Sequence, residues 1–414
     1  MKLMHKLYKI LSYFFIPLIK INTFIRILNK KEDKIRYKER FGFTNLQKPL
    51  GKELIWIHAS SVGEFKSSDF LINNFFNNYN ILITTTTKTA ADYAKKNYGD
   101  KIIHQYAPYD VTIWINKFLD FWRPKLVIWI ESDLWPNTIV RLRERKITSI
   151  FLNARISPKS FNKWKYFSSY YKFITRTFFA IYAQSKNDLK RIESLTNNEV
   201  KYLGNLKLTN KLRILPNSST STNIKIMLAS THHNEEELIM PYIENISKKY
   251  PLINFFITPR HPDRSKIIFD LLKSKKLNVG LHSRNKKNNK IQFLIIDSFG
   301  IMDEFYNKSD IVILGGSFTN NGGHNPIEAA VANCAIITGP YIFNWQNLYE
   351  DMIKKNCCLM IKNCEEIEHN IINLIEDKSQ ISKLKQNALS FSESVFFDED
   401  KLLSVIKSKL EYNA

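Results

Sequence analysis

The sequence predicts an α/β protein built from two doubly wound, Rossmann-like domains, each a parallel sheet covered by helices on both faces. Three observations predict it. At 414 residues the chain exceeds one ordinary core and suits two domains of about 200 residues each. From residue 54 onward, short apolar runs alternate with helix-period stretches, the rhythm of parallel strands buried on both faces. That rhythm breaks in "LTNKLRILPNSSTSTN" (208–223), where Pro, Ser, Thr and Asn mark a linker.

Taken in order, the first element is "ILSYFFIPLI", an apolar decamer ended by Lys20, followed by "INTFIRIL" and the charged "NKKEDKIRYKER". A spanning helix wants roughly 20 apolar residues, and Lys20 and Arg26 interrupt this run. No small-residue cleavage site follows it. Two readings remain beside that of an ordinary buried first helix: an interfacial helix with basic flanks or a short, poor membrane anchor. Strands then come as "ELIWIH", "YNILITTTT", "KIIHQYA", "PKLVIWI", "ITSIFLNA" and "FAIYAQS". Helical segments such as "KTAADYAKKNYG", "VTIWINKFLDFW" and "NTIVRLRERK" separate them. After the linker, "IKIMLAS", "LINFFITPR", "IQFLIIDS", "DIVILGGS" and "CAIITGP" form a second set. The expected divisions are a membrane-proximal segment (1–40), a first domain (41–208), a linker (209–223) and a second domain running from 224 through the last helices to 414. Two such domains imply a cleft lined by strand C-termini, where ligands bind in these sheets.

Composition narrows the partners. With 44% hydrophobic and 13% aromatic residues the chain is globular rather than disordered. Its formal net charge is +22, and residues 1–40 hold 11 Lys/Arg against 3 Asp/Glu, which points to an anionic surface or substrate. The aromatics follow strands and apolar helices instead of interleaving with a basic face, which argues against nucleic acid. Cys334, Cys357, Cys358 and Cys364 lack zinc-site spacing and suit apolar packing in a reducing compartment.

The chemistry-bearing clusters sit where strands hand over to helices. In "IWIHASSVGEFKSS" a lone carboxylate, Glu64, follows Gly63 at a strand tip. It either favours the positive end of a helix macrodipole or stands where small neighbours let a substrate approach. Ser60 and Ser61 make poor nucleophile candidates, since nothing in the sequence sets a base beside either. Glu131 and Asp133 of "IESDLWPN" fall on one face of an extended segment. They suit a metal pair, a substrate-orienting role or a loop brace. Lys207 in "LGNLK" supplies a cation near the linker. In the second half, "LGGSFTNNGGHNPIEAAV" (314–331) carries Gly315, Gly316, Gly322 and Gly323. Asn325 reads as a helix cap and Pro326 as the first helical position. The turn is either a phosphate seat built from unpaired N–H groups or simply a well-capped helix start. Glu328, one turn in, suits ribose hydroxyls. "ITPRHPDR" presents Arg260 beside Pro259, either for a phosphate or for solvent. Gly300 in "DSFGIMDEF" offers backbone contact to a base or sugar. Ser230 and Thr231 end a fourth strand, and the adjacent His232 and His233 point apart, a poor metal pair.

In order, "HASSVGE", "TTTTKTA", "ESDLWPN", "NARIS", "GNLK", "STHHNEE", "PRHP", "GGSF…GGHNPIEAA" and "GP…N" resemble the 3-deoxy-D-manno-octulosonic acid (Kdo) transferases of Gram-negative bacteria. The match covers roughly residues 35–347, and "RYKERFG" resembles that family's membrane-proximal region. The resemblance implies a GT-B fold and an inverting, metal-independent transfer of Kdo from CMP-Kdo to a lipid A precursor, with no cofactor, at the cytoplasmic face of the inner membrane. It implies Glu64 as general base, Glu131 and Lys207 as transition-state stabilisers, and a CMP site of Pro259, Arg260, Phe299, Gly300, Ile301, Asn325, Pro326, Ile327 and Glu328. Asp133 stands where the family more often has Glu. The competing readings are a GT-B enzyme using a UDP-sugar, or a non-catalytic polyanion- or membrane-binding protein.

Overall fold

The computed structural model describes residues 2–131, 134–206, 208, 223–284, 291–298 and 300–411. The chain forms two compact units: Met1–Thr209 together with Phe397–Ala414, and Asn210–Phe396. The last helix, Glu399–Glu411, was expected in the second domain. It instead completes the core of the first, where Leu402, Leu403, Ile406 and Leu410 are buried with Phe70 and Phe65. Burying each such side chain contributes about 1.5–3 kcal/mol.

Among the described residues the first unit holds seven strands: β1 (Leu54–His58), β2 (Asn80–Thr85), β3 (Ile103–Tyr106), β4 (Leu126–Ile130), β5 (Thr148–Ala154), β6 (Ala180–Ala183) and β7 (Val200–Tyr202). Their order is β3-β2-β1-β4-β5-β6-β7, and every pairing is parallel. Alternation along β1 explains why the run is apolar throughout. Leu54 and Trp56 enter one core with Phe118, Trp122 and Trp129, while Ile55 and Ile57 enter the other with Phe65 and Ile83. The chain winds outward from β1 to β3, then jumps back to β4 on the other side of β1. That reversal is a topological switch point, where the loops after neighbouring strands diverge and leave room for a ligand.

The second unit repeats the plan with β8 (Lys225–Thr231), β9 (Asn254–Pro259), β10 (Val279–Leu281), β11 (Phe293–Ile295), β12 (Ile311–Leu314), β13 (Ala335–Thr338) and β14 (Leu359–Met360). The order β10-β11-β9-β8-β12-β13-β14 puts its switch point between β8 and β12. All four cysteines are free, three of them buried, and burial pushes the Cys334 thiol up to about 12. They act as small apolar side chains.

The N-terminal segment folds as two helices, α1 (Lys2–Phe14) and α2 (Ile16–Leu28), bent by 52° at Phe15. Pro17, at the start of α2, marks the break. Among the described residues no single helix is long and apolar enough to cross a membrane. The pair is tied down by Tyr8 Oη to Asp110 (3.1 Å), Asn137 Nδ2 to Ser12 Oγ (3.2 Å) and Thr23 Oγ1 with Tyr109 Oη (3.0 Å). "RYKERFG" follows with a buried arginine. Arg40 donates to the carbonyls of Thr85, Thr86 and Ala107 and to Glu32, fastening this segment beneath the C-terminal ends of β2 and β3.

Candidate active site

In the first unit, β1 stops at His58 and the chain turns through Ser60 into a short helix, α3 (Val62–Ser67). Ser61 caps α3 by accepting from Glu64 N. The Glu64 carboxylate returns the bond one residue further back, accepting from Ser60 N–H (2.6 Å) and Ser61 Oγ (3.2 Å). This is a near variant of the capping box, and it holds a half-buried carboxylate in one orientation above the end of β1. The helix-start reading of Glu64 is therefore correct, and it is also what makes the side chain rigid. Ser60 is braced in turn, since Thr86 N–H and Oγ1 both donate to its carbonyl. Its hydroxyl lies 3.1 Å from His58 Nε2, a neighbour the sequence does not announce. His58 is fully buried between Trp129 and Trp135, and burial, with Arg40, lowers it to about 3. Its Nδ1 meets Thr84 rather than a carboxylate, so the pair is a brace and not a nucleophile with its base.

Glu131 follows β4, the strand next to β1. It is buried with φ +67°, a left-handed backbone unusual for glutamate. Its carboxylate accepts from Asn153 Nδ2 (3.4 Å), and Asn153 Oδ1 accepts from Leu206 N–H (3.3 Å). Asn153 is also left-handed, at φ +54°, where the β5–β6 register slips between Phe151 and Ala154. This bulge re-aims a side chain at a strand end. Lys207 and Asp133 lie outside the described residues; Leu206, bonded to Asn153, directly precedes Lys207.

The second unit has a matching irregularity. At Ser230 (φ +58°) the β8–β9 register slips between Ala229 and Thr231. Arg260 follows β9, exposed, with its N–H bonded to Thr231 O. The Gly-rich turn departs from expectation. Gly315 N–H is bonded to Ala229 O, and Glu235, fully buried, accepts from the N–H groups of His232, Gly316 and Phe318. An internal carboxylate thus takes up two N–H groups of the Gly-rich turn, those of Gly316 and Phe318. The glycines serve close approach within the chain: a Cβ on Gly315 would lie 2.5 Å from Ser230 O, and one on Gly322 2.5 Å from the Phe343 ring. Asn325 Oδ1 accepts from Ile327 N–H (3.1 Å). However, Pro326 takes the cap position rather than the first helical one, and the helix, Ile327–Val331, is only five residues long.

Glu328 is half-buried and pushed up to about 7, first by burial and then by Asp303, with Arg260 opposing. Arg260, Asp303 and Glu328 therefore share one electrostatic neighbourhood. Gly300 (φ +80°) and Ile301 precede the helix Met302–Lys308, which starts beside β8, where Ser230 Oγ donates to Met302 Sδ. A Cβ on Gly300 would meet only open space. Phe299 lies outside the described residues. Strand order brings the ends of β11, β9, β8 and β12 side by side, and with them the 300–301 turn, Pro259–Arg260, Ser230 and the Gly-rich turn.

A sequence profile described as "3-Deoxy-D-manno-octulosonic-acid transferase (kdotransferase)" matches residues 35–210. The chain is 33% identical to the "3-deoxy-D-manno-octulosonic acid transferase" of Rickettsia bellii (strain RML369-C), over 97% of its own length and 99% of that protein's. This chain belongs to the Kdo transferase family. The enzyme of the same description from Haemophilus influenzae (strain ATCC 51907 / DSM 11121 / KW20 / Rd) is 30% identical over 95% of this chain and 96% of its own. Among solved structures, the UDP-GlcNAc 2-epimerase of Neisseria meningitidis superposes with a TM-score of 0.55 at 14% identity, covering 87% of this chain and all of that one. That likeness establishes the GT-B fold. A Kdo transferase is a glycosyltransferase, so the chain is an enzyme that takes a Kdo donor and a glycosyl acceptor.

Sequence reasoning missed three residues in this Kdo transferase. Asn153 joins Glu131 to the segment before Lys207; its signal was an Asn at a strand end, where left-handed backbone is tolerated. Glu235 went unread beside His232 and His233, since nothing local shows that its carboxylate reaches Gly316 and Phe318. His324 pairs with His232 across 92 positions, which no local pattern reveals.

Proposed function

We propose that this Kdo transferase moves Kdo from CMP-Kdo to a tetra-acylated lipid A precursor (lipid IVA), inverting the anomeric centre and needing no metal, at the cytoplasmic face of a bacterial inner membrane. The observation that carries the reading is the Glu64 carboxylate, held by Ser60 and Ser61 at the switch point of the first sheet. Glu64 takes the proton of the acceptor hydroxyl as that oxygen bonds to the anomeric carbon of Kdo. The bond to the CMP phosphate breaks in the same displacement, and its electron pair leaves with CMP. Positioned proton removal is worth about 10² to 10⁴ in rate. Glu131 and Lys207 stabilise the transition state, with Glu131 oriented by Asn153.

For the donor we assign Pro259, Arg260, Phe299, Gly300, Ile301, Asn325, Pro326, Ile327 and Glu328. Arg260 is exposed and carries a permanent charge suited to the departing phosphate. The apolar faces of α1 and α2 stay exposed, which supports interfacial binding of these helices to the membrane.

The test is incubation of the purified protein with CMP-Kdo and lipid IVA in detergent containing EDTA, with lipid products read by mass spectrometry. The expected result is a gain of one or more Kdo masses, reduced about 10² to 10⁴-fold by Glu64→Gln. No gain with CMP still bound rejects the donor–acceptor pair, a gain only without EDTA rejects metal independence, and a fully active Glu64→Gln rejects the base.

A further inference from the structure

A pocket of about 500 Å³ opens between α1, the helix Pro136–Glu144 and the helix Ser168–Thr175 of the first unit. Six cations line it: Lys2, Lys6 and Lys9 from α1, and Arg141, Arg143 and Arg176 from the body. Among the described residues its one carboxylate, Glu144, is bonded to Arg141. Among the described residues, none of the other five cations forms a salt bridge. Holding like charges together without counter-charge costs free energy, and an anion in the pocket relieves it. Two polar atoms of its lining residues are also unanswered, and both are closed to solvent. Arg141 Nε is buried without a hydrogen-bond partner among the described residues, and so is Asn137 Oδ1. Asn137 is 1% exposed and turns its Nδ2 to Asp110 O and Ser12 Oγ, which leaves Oδ1 as an acceptor awaiting a donor. His5, on the same wall, is lowered by burial and then by Arg143, Lys9 and Arg141, against Glu144.

The position of α1 says where such an anion would come from. Lys2, Lys6 and Lys9 share one face, while Leu3, Leu7, Ile10 and Phe14 form a stripe about 100° away. That stripe is open to solvent, with Leu3 79% and Phe14 75% exposed. An amphipathic helix of this kind lies with its apolar stripe at the acyl boundary and its lysines at headgroup depth. We propose that the pocket seats the phosphate headgroup of one anionic membrane lipid. The cations take the phosphate. This rests on the membrane-facing reading of α1 and α2.

The test uses the full-length protein in nonionic detergent, titrated calorimetrically with monomeric dihexanoylphosphatidylglycerol and separately with inorganic phosphate. A pocket variant, Lys6→Gln/Lys9→Gln/Arg176→Gln, is compared with a charge-matched control, Lys186→Gln/Lys190→Gln/Lys201→Gln, after thermal melts show both folded. The expected result is saturable binding of one lipid, weakened about tenfold or more in the pocket variant only. Equal weakening in both variants, or no saturation, overturns the pocket in favour of diffuse attraction. Inorganic phosphate binding as tightly as the lipid overturns the lipid assignment. Sedimentation with phosphatidylcholine vesicles separates the two readings. If the protein pellets while the lipid titration is silent, the pocket falls and the membrane reading stands; if it pellets with no vesicle, neutral or anionic, both fall.

Discussion

The imidazoles of His232 and His324 stack with centroids 5.0 Å apart, and their Nε2 atoms meet at 2.9 Å. One ring donates and the other accepts, an arrangement that requires a neutral acceptor. Burial, then His232 and Arg260, lowers His324 to about 4, and burial also lowers His232. His58 and His104 are held near 3, chiefly by burial.

These histidines make the fold acid-sensitive. Unfolded, each binds a proton near pH 6.5 that the folded state refuses until pH 3–4. Stability is therefore retained above pH 6.5 and lost as pH falls through that window, by up to about 1.4 kcal/mol per pH unit for each histidine. Urea midpoints should drop steadily from pH 7 to pH 5, and His324→Gln should shallow the slope. A slope unchanged in the variant would show that His324 takes up its proton without unfolding the protein.

Arg40 should prove a structural keystone. Its guanidinium serves three strand-end carbonyls and the buried Glu32. Arg40→Met strips these partners and leaves Glu32 with Arg26 alone, at a cost of about 3–5 kcal/mol. Chemical denaturation measures it, and a loss under 1 kcal/mol would mean that water replaces the guanidinium.

Glu328 should give the proposed donor site its own pH dependence. Its carboxyl is raised to about 7, so it gains charge as pH rises through neutrality. A phosphate near Arg260 then meets added repulsion. CMP should bind more tightly at pH 6 than at pH 8, and Glu328→Gln should flatten that difference. Equal pH dependence in both proteins would remove Glu328 from the site.

Asn153 separates backbone from side chain. Asn153→Gly keeps the left-handed conformation but drops the bonds to Glu131 and Leu206, whereas Asn153→Ala loses both. Turnover should fall in each, with Ala further destabilised by about 1–2 kcal/mol. Full turnover in the glycine variant would show that Glu131 needs no such support.

The legible parts of this fold were its long buried strands. β1, β4, β8 and β12 are continuous apolar runs ending at turn residues, and Glu64 and Arg260 could be read as strand-end side chains. β7, β10 and β14 were not read, because two or three residues carry no detectable period, whereas the equally short β11 lies inside the longer apolar run "IQFLIIDS". The Gly-rich turn was legible only in part. Its glycines were visible, but Glu235, some eighty positions earlier, is what fills its N–H groups. The return of the last helix to the first unit was illegible too, since amphipathic spacing names a buried face without naming its partner.

That return also orders the chain's birth. Leu402, Leu403, Ile406 and Leu410 close a face of the first sheet, yet they are translated only after the whole of the second unit. While the second unit emerges and folds from its own contiguous stretch, the first leaves the ribosome with apolar surface uncovered. At synthesis rates of about 5–20 residues per second, that exposure lasts on the order of ten seconds or more. The nascent protein thus passes through a stage that invites chaperone capture, and a release delayed or premature near residue 397 would leave the half that carries Glu64 open.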